Sequence, residues 1–457
     1  MRRRWAIVAG ALVAWALLIV AARLWGLHLI DELGREALRL SAPPLVGWDD
    51  LRLSVRIVVP VGVAGVIVVW APDLVRRLEW RRLLAVAAAA TALWALALAF
   101  TDGLDGITAP TVLPGDEYLL DVDQVGSPTD FLSGFTDNID SYSTHVRSHP
   151  PGAVLSLWSM DRLGLGGQGW AAALFILGGA LAVPSVLVAV RDVAGETQAR
   201  AAAPFVVLAP AAVWIATSAD ALFAGVAAAA VAAVVVAMGQ VGRRADAWST
   251  AGGLLFGATL MLSYGLALIA VIPFVVALAR RRFRPLAVAG LAASAVLACF
   301  WVAGFSYVDG WSTTRGEYLE SVASTRPFGY FVWANLAALA IVVGPATAAG
   351  LALLRDRRMW LLVGGALGAI AIADLSGFSK GEVERIWLPF ALWLLPAGAV
   401  LAKDVLAKDV LEEDPSAKDP SAKDAVGRNA SGMVLRGWLT AQAVVALAVQ
   451  TGIRTRW

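Results

Sequence analysis

Residues 170–190 read WAAALFILGGALAVPSVLVAV, a continuous apolar run that contains no charged side chain. A helix of about 20 apolar residues is long enough to cross the hydrocarbon core of a bilayer. Comparable runs recur along the chain, near 5–22, 53–71, 83–100, 201–217, 221–238, 286–307, 328–354, 360–376, 386–402 and 434–450. The stretch 249–279 should form two further segments that break near Ser263, Tyr264 and Gly265. The sequence therefore predicts an all-α, polytopic transmembrane helical bundle of about a dozen spans.

The composition of the 457-residue chain supports this prediction. Hydrophobic residues make up 59% and charged residues only 16%, whereas an average soluble protein has roughly 25% charged residues. A soluble domain could not cover so much apolar surface. The net charge of +2 gives no reason to expect a nucleic-acid partner. The single cysteine, Cys299, excludes an internal disulfide and a CxxC metal or redox site.

Clusters of arginine assign the cytoplasmic side of the bundle, because Lys and Arg concentrate in short cytoplasmic loops. The clusters lie within 2–4, 76–82, 243–244, 280–284 and 355–358. Placing them inside leaves four loops outside, at 23–52, 101–150, 308–327 and 377–385. The first apolar run has no A-x-A-like cleavage site after it, so we expect an uncleaved signal anchor. The prediction is a multi-pass plasma-membrane protein.

The stretch between residue 150, expected outside, and Arg191, expected inside, leaves room for one crossing. We assign that crossing to 170–190, so that residues 151–160 should form a short, tilted or re-entrant helix. Segment 201–217 then returns to the outer side and brings Asp220 there.

Residues 403–424 repeat VLAKD and PSAKD without aromatic side chains and predict a cytoplasmic tether. We expect no soluble domain after the last span. The predicted regions are N-terminal transmembrane helices (1–100), an external catalytic loop (101–150), a core transmembrane bundle (151–402), a low-complexity linker (403–428) and a C-terminal transmembrane helix (429–457).

The acidic loop 101–150 is the most polar external segment. Most of its carboxylates fit a simple solvated loop, but Asp116 and Glu117 follow the turn signal Pro114-Gly115 and precede an apolar run. A helix that starts there would hold an acid in its first turn, where the helix dipole favours an anion. A fixed carboxylate at the membrane edge suits a general base for an acceptor hydroxyl. Asp102 and Asp105 compete for this role.

His149 precedes two prolines that fix the chain as it enters the membrane. The imidazole is therefore a candidate hydrogen-bond donor to a phosphate or a sugar, or else an incidental residue at a rigid helix start. Arg147, two residues earlier, joins it as a candidate substrate-binding residue. Asp220 lies between two apolar runs, where an unpaired carboxylate is costly, and is a functional candidate as well as a helix N-cap candidate.

Arg385 stands just before the apolar run 386–402. Its guanidinium could make a bidentate contact with a lipid-linked phosphate. The alternatives are an arginine that snorkels to lipid headgroups or one that pairs with Glu382. Arg315 and Arg326, in the loop 308–327, are weaker candidates of the same type.

The order of these motifs resembles the GT-C superfamily of membrane glycosyltransferases, with patterns similar to those of protein O-mannosyltransferases and the lipid A aminoarabinose transferase. In that superfamily an Asp-Glu pair opens the first large external loop and its Asp is taken as catalytic; here the pair looks like Asp116-Glu117. The loop ends in a His/Lys-Pro-Pro motif, similar to His149-Pro150-Pro151. The next outward helix reaches an Asp before Leu/Phe, similar to Asp220. An Arg-x-x-x-Pro begins a late helix, which looks like Arg385 to Pro389.

The resemblance implies transfer of a sugar from a polyprenyl-phosphate donor to an acceptor hydroxyl on the extracytoplasmic face, with inversion at the anomeric carbon. The acceptor would be a glycan, a lipid or a protein, and membrane lipids would surround the site. The sequence contains no clear metal site, but acidic pairs such as Asp121 and Asp123 could bind a divalent cation. Two extra spans before the loop, and Gly152 where a Leu is more usual, depart from the family pattern.

Two other classes remain open from the sequence. A polytopic transporter or lipid-linked-sugar flippase would show internal repeats and charges near the midplane, and a non-catalytic scaffold would tolerate carboxylate loss in the acidic loop. The glycosyltransferase interpretation expects that Asp116, His149, Asp220 and Arg385 line one outward cavity.

Overall fold

The apolar runs form helices, since Ala, Leu and their neighbours in these runs favour helix and a membrane helix satisfies its own backbone. The computed structural model describes residues 2–216, 218–406 and 422–455. Within these ranges, eight helices are long and apolar enough to cross a membrane, and three shorter apolar helices accompany them. The predicted all-α polytopic bundle is confirmed. Most of the predicted tether, residues 407–421, lies outside the described residues.

The helices before and within the acidic loop are α1 (Arg2–Leu33), α2 (Arg35–Leu38), α3 (Val58–Arg77), α4 (Trp80–Ala99), α5 (Asp105–Thr108), α6 (Pro128–Ser133) and α7 (Thr144–Arg147). The core begins with α8 (Gly152–Arg162), α9 (Gln168–Ala194), α10 (Glu196–Val207), α11 (Asp220–Gly239), α12 (Gly242–Leu262), α13 (Val271–Arg280) and α14 (Arg284–Val302). It continues with α15 (Tyr307–Glu320), α16 (Val322–Thr325), α17 (Phe328–Leu353), α18 (Met359–Leu375), α19 (Val383–Ile386), α20 (Leu388–Ala391), α21 (Ala399–Leu406) and α22 (Ala422–Gly452).

Two short strands join distant parts of the chain. Strand β1 (Gly47–Asp49) pairs antiparallel with β2 (Ile453–Thr455), and Trp48 lies opposite Arg454. Because β2 directly follows α22, this pairing ties the end of the last long helix to the loop between α2 and α3.

The acidic loop is structured. Between α5, α6 and α7 it forms short 3-10 helices, of which Tyr118–Gln124 follows directly after Glu117. Residues 151–160 fall in the short helix α8, which has 11 residues, and the crossing assigned to 170–190 is α9.

Prolines and an extended residue interrupt three of the predicted spans. Helix α12 ends at Leu262, Ser263 is extended, and a 3-10 helix leads into α13, which confirms the predicted break. Segment 201–217 divides where Pro210 begins a 3-10 helix after α10. Segment 386–402 consists of the end of α19, then α20, a 3-10 helix and α21, because prolines lack the N–H that a continuous helix needs.

Polar contacts separate the loops into two sets at opposite ends of the bundle. At one end, basic loops contact one another through pairs such as Arg4 with the Val400 carbonyl, Arg200 with the Leu78 carbonyl, and Arg280 with Asp192. At the other end, the acidic loop meets the other three loops predicted to be outside, through Arg52 with Asp102, Arg147 with Glu317, and Arg385 with His145. We call this second end the outer end.

Small residues and one amide hold the bundle interior together. Helices α9 and α11 approach so closely that a Cβ on Gly225 would lie 2.1 Å from the carbonyl oxygen of Gly178. Helix α17 is kinked at Gly344, whose φ is 75°. The fully buried Gln442 of α22 donates to the Val343 carbonyl at 3.0 Å and accepts from the Ala346 N–H at 3.2 Å. This one side chain therefore satisfies the backbone groups that the kink releases.

Candidate functional site

Arg385 joins three distant segments at the outer end. It lies in α19, its side chain is 5% exposed, and its Nη1 donates to Asp220 Oδ2 at 2.7 Å. Its Nη2 donates to Glu382 Oε2 at 2.6 Å and to His145 Nε2 at 2.8 Å. Glu117 completes the group from the other side of His145. We call Glu117, His145, Asp220, Glu382 and Arg385 the Arg385 network.

The contacts of His145 decide which of its ring nitrogens carries the proton. A guanidinium can only donate, so His145 Nε2 accepts and Nδ1 carries the hydrogen. Nδ1 lies 3.2 Å from Glu117 Oε1, although the two are not aligned as a hydrogen bond. Both side chains are buried. The Glu117 carboxyl group therefore lies beside the N–H of the His145 imidazole.

The charges of the Arg385 network reinforce one another. Burial raises the pKa of Glu382, but the guanidinium of Arg385 outweighs that effect and leaves its pKa below the usual value. Burial lowers the pKa of Arg385, but Asp220 and Glu382 raise it further than burial lowers it. Ser218 Oγ also donates to Asp220 Oδ2 at 2.7 Å and accepts from the Asp220 N–H at 3.1 Å. Arg385 and its acids therefore remain charged at neutral pH.

Aromatic rings form one wall beside this network. The ring of Tyr118 lies 5.6 Å from His145 and 5.7 Å from His149, and His149 lies 5.9 Å from Phe223. The buried hydroxyl of Tyr118 has no hydrogen-bond partner within the described part of the chain. It is a polar group that a ligand could satisfy.

His149 takes a different hydrogen-bonding role from the one expected. Its Nδ1 is 2.8 Å from the carbonyl oxygen of His145, which can only accept, so Nδ1–H donates. Burial lowers the pKa of His149 to about 4, and Asp220 opposes that effect only in part. The ring is therefore neutral at pH 7 and presents a lone pair at Nε2. That arrangement suits a hydroxyl donor better than a phosphate oxygen.

The backbone of Asp116 is hydrogen-bonded to the network, while its side chain lies at a neighbouring cavity. Its carbonyl accepts from the His145 N–H at 3.0 Å, and the Gly115 carbonyl accepts from the Thr144 N–H at 2.9 Å. The carboxylate borders a cavity of about 980 Å³ at the outer end. The cavity lies between the acidic loop and the β1–β2 pair, and its lining includes Trp48, Asp50, Arg52, Asp102, Asp105 and Asp116.

Of the four residues expected to line one outward cavity, only Asp116 is in the lining of this cavity. Asp116 lines the cavity, while Asp220 and Arg385 pair with each other in the buried network and His149 lies against the aromatic wall. Glu117, predicted beside Asp116 as catalytic, is also absent from the cavity lining and turns toward His145.

The remaining candidates occupy separate places. Arg147 pairs with Glu317 of α15 and, at 3.3 Å, with Asp140, so it connects the acidic loop to α15. Arg315 is exposed on α15. Arg326 is buried and donates to the backbone carbonyl of Lys380.

Of the acidic pair considered for a divalent cation, Asp121 is engaged in other contacts and Asp123 is exposed. Asp121 accepts from the Ser143 N–H at 3.0 Å and from Gln124 Nε2 at 2.6 Å. Across the described residues, no group of three or more His, Cys, Asp or Glu side chains is placed to hold a metal ion.

The sequence reasoning did not select three residues of this site: His145, Tyr118 and Glu384. His145 was visible as one of two histidines within five residues, but nothing local indicated that it meets Arg385. Glu384 is fully buried, and its Oε1 accepts from the Val46 N–H at 3.0 Å. Burial raises the pKa of Glu384 to about 7. The pairing of Arg385 with Glu382, considered above as an alternative, is present.

Solved structures of similar fold include ArnT from Cupriavidus metallidurans, at 17% identity and a TM-score of 0.42, which covers 71% of this chain and 72% of that chain. An Archaeoglobus fulgidus oligosaccharyltransferase tethered to an acceptor peptide gives 11% identity and a TM-score of 0.49 over 83% of this chain, and the same enzyme with zinc and sulfate gives 16% and 0.47 over 81%. This chain spans 56% and 53% of those two chains. Both proteins are GT-C membrane glycosyltransferases, the superfamily that the motifs resemble.

No family model matches the sequence, and no curated protein matches it.

Proposed function

We propose that this chain is a membrane glycosyltransferase that moves a sugar from a polyprenyl-phosphate donor to an acceptor hydroxyl. The reaction would occur on the extracytoplasmic face of the plasma membrane, in the synthesis of a cell-envelope glycan or glycoconjugate. The observation that carries the proposal is that Asp116 lines an acidic cavity at the outer end and is hydrogen-bonded through its backbone to His145, a member of the network that joins Asp220 and Arg385. Acid, imidazole and guanidinium groups that meet next to a cavity are the usual elements of an active site.

Asp116 is the proposed general base. Its carboxylate lines the cavity and has no hydrogen-bond or ion-pair partner within the described ranges, so it is available to take a proton. Two backbone hydrogen bonds to α7 fix the turn that carries it. Glu117 is proposed as a positioning residue, because it is buried against His145.

The proposed step is a single displacement. The acceptor hydroxyl gives its proton to Asp116 while its oxygen forms a bond to the anomeric carbon of the sugar. The bond between that carbon and the carrier phosphate breaks, and the phosphate leaves with the electron pair. Attack opposite the leaving group inverts the anomeric centre. His149, neutral and with Nε2 open, would accept a hydrogen bond from a sugar hydroxyl and orient the ring.

The cavity favours some acceptors over others. Its carboxylates at Asp50, Asp105 and Asp116 would repel an anionic group, while hydroxyls can donate to them. The indole of Trp48 adds an aromatic surface. These features favour a glycan or protein acceptor over an anionic lipid.

The proposal is tested by Asp116→Asn in proteoliposomes that contain a polyprenyl-phosphate sugar. Loss of a general base should lower the transfer rate by roughly 10²–10⁴-fold. Asp137→Asn, an exposed acid of the same loop outside the cavity lining, is the matched control and should keep full activity. Equal transfer rates for Asp116→Asn and the control would refute the assignment, and a larger loss in Asp105→Asn would move the base to that residue.

The main alternative is a transporter or a lipid-linked-sugar flippase. The kink of α17 at Gly344 is the kind of helix break that transporters use. The buried charges of the Arg385 network, however, lie at the outer end and not at the middle of the bundle. Translocation of the lipid-linked sugar without transfer, measured in the same vesicles, would favour the alternative.

A further inference from the structure

Arg326 and Arg385 are both buried arginines at the outer end, but their charges are balanced differently. Arg385 has two carboxylates within ion-pair distance, Asp220 and Glu382. Arg326 is 6% exposed and, among the described residues, forms no ion pair with a carboxylate. Leaving a buried charge without a counter-ion costs several kcal/mol. A counter-ion from outside the chain would remove that cost.

The geometry of Arg326 leaves one edge of its guanidinium without a hydrogen-bond partner among the described residues. Nη1 donates to the Lys380 carbonyl, and the planar group lies against the ring of Phe331, with its central carbon 5.6 Å from the ring centroid. Nε is buried without a hydrogen-bond partner, and Nη2 makes no hydrogen bond to any residue in the described ranges. The Nε and Nη2 hydrogens point the same way and form the fork that binds two oxygens of one phosphate.

The surroundings of Arg326 are also basic. Lys380 and Arg39 lie near enough that Arg39 lowers the pKa of Arg326, after the larger effect of burial, and Arg326 likewise lowers the pKa of Lys380. Two acids, Glu382 and Glu384, oppose the effect of burial on the pKa of Arg326 without forming an ion pair with it, and the Glu382 carboxylate already accepts from Arg385. Arg326 therefore has basic neighbours but no ion-pair partner within the described part of the chain.

We propose that the Nε–Nη2 edge of Arg326 binds the phosphate of the lipid carrier, with Lys380 and Arg39 adding positive charge. This inference rests on the proposed function and reverses one expectation from the sequence. Arg385 was predicted as the phosphate ligand and Arg326 as a weaker candidate. In the structure, Arg385 instead forms ion pairs with Asp220 and Glu382. Arg326 is the arginine without an ion-pair partner among the described residues.

Hydrogen bonds near Arg326 fix the chain segments that surround its Nε–Nη2 edge. Asn335 of α17 donates to Asp374 Oδ1 at 2.8 Å and accepts from the Gly381 N–H at 3.3 Å, which fixes the loop that follows α18. Lys380 Nζ donates to the Ser324 carbonyl at 2.7 Å. The loop after α18 and the segment before α17 are thus connected on both sides of Arg326, and a site that is fixed before the ligand arrives binds more tightly.

The test is a binding measurement that does not need transfer activity. The purified full chain in detergent micelles is titrated with sugar-free polyprenyl phosphate, and displacement is measured with phosphatidylglycerol and with inorganic phosphate. Arg326→Gln should weaken polyprenyl phosphate binding at least about tenfold, since it removes a charged bidentate contact. The affinity of Arg326→Lys for polyprenyl phosphate should lie between those of the unaltered chain and Arg326→Gln, because lysine keeps the charge but cannot make the bidentate contact. Arg35→Gln, an exposed arginine of α2, is the matched control and should bind as the unaltered chain does.

Three results would overturn the inference. Unchanged binding in both Arg326 variants would reject Arg326 while leaving the glycosyltransferase proposal intact. Equal displacement by phosphatidylglycerol would reject the carrier in favour of a general anionic headgroup. Absence of polyprenyl phosphate binding by the unaltered chain would reject the proposed function itself. If Arg326→Gln fails to fold, judged by gel filtration, the lysine variant and Lys380→Gln carry the same comparison.

Discussion

Removal of Arg385 should destabilise the fold before it affects any ligand. In Arg385→Gln the carboxylate of Asp220, which is 5% exposed, loses its ion pair, and His145 Nε2 loses its donor. Removing one partner of a buried ion pair costs about 3–5 kcal/mol, most of which is the penalty for the charge that stays behind. We therefore expect the free energy of unfolding to fall by that amount.

A double-mutant cycle isolates the contribution of the pair. In Asp220→Asn combined with Arg385→Gln, no buried charge of this pair remains, so the double variant should be more stable than the sum of the two single losses predicts. The expected coupling energy is at least about 2 kcal/mol. The measurement is reversible unfolding in mixed micelles with a denaturing detergent, followed by tryptophan fluorescence.

Arg147 and Glu317 provide the matched comparison. Their side chains are 36% and 26% exposed, so solvent screens the pair and Arg147→Gln should cost no more than about 1 kcal/mol. A coupling energy between Arg385 and Asp220 below about 0.5 kcal/mol, or a loss no larger than that of Arg147→Gln, would refute the view of Arg385 as a structural centre. Its function as a phosphate ligand would then have to be reconsidered.

The remaining predictions concern stability. Gln442→Leu should lower the free energy of unfolding by about 1–3 kcal/mol, because the Val343 carbonyl and the Ala346 N–H at the α17 kink lose their partner. Thr440→Val, at an exposed position of the same helix, is the control in the same unfolding measurement, and an equal loss in both would contradict the explanation. His149 should make stability depend on pH. Its folded pKa is about 4 against an ordinary 6.5, so between these values the unfolded chain binds a proton that the folded chain does not. Stability should therefore rise as pH increases from 4 to 6.5, by at most about 1.4 kcal/mol per pH unit, and level off above that. His149→Phe should flatten this part of the stability curve, and an unaltered slope would show that another group causes it.

The fold could be predicted largely from the sequence because its determinants are local. A run such as 170–190 signals a span by its length and lack of charge, and the arginine clusters signal sidedness without reference to any partner. The interruption near Ser263 was visible in the same way. The subdivision of 386–402 into several short helices depends on where Pro389 and Pro396 lie relative to the residues that pack against them. The number of apolar residues in a segment gives no information about that packing.

The sequence allowed several residues of the site to be identified, but not the contacts between them. Asp220 and Arg385 were each conspicuous as isolated charges beside apolar runs, but they pair across 165 residues of sequence. The pairing of Arg385 with Glu382 was foreseeable, since residues three apart on a helical turn are neighbours. The direction of each side chain was not foreseeable. Adjacent residues Asp116 and Glu117 face a cavity and a buried histidine respectively, and only the turn geometry decides which faces which.

Charge balance separates the two kinds of polar residue at the outer end. Within a bundle whose composition is only 16% charged, each buried charge needs a reason to remain. Asp220 and Glu382 form ion pairs with Arg385, and this structural role explains why the three charges are retained. Asp116 and Arg326 form no ion pair within the described residues, and they are the groups that a proton-donating acceptor and a phosphate leaving group would each complete. In the proposed displacement, Asp116 would take the proton of the acceptor hydroxyl and Arg326 would bind the phosphate that leaves.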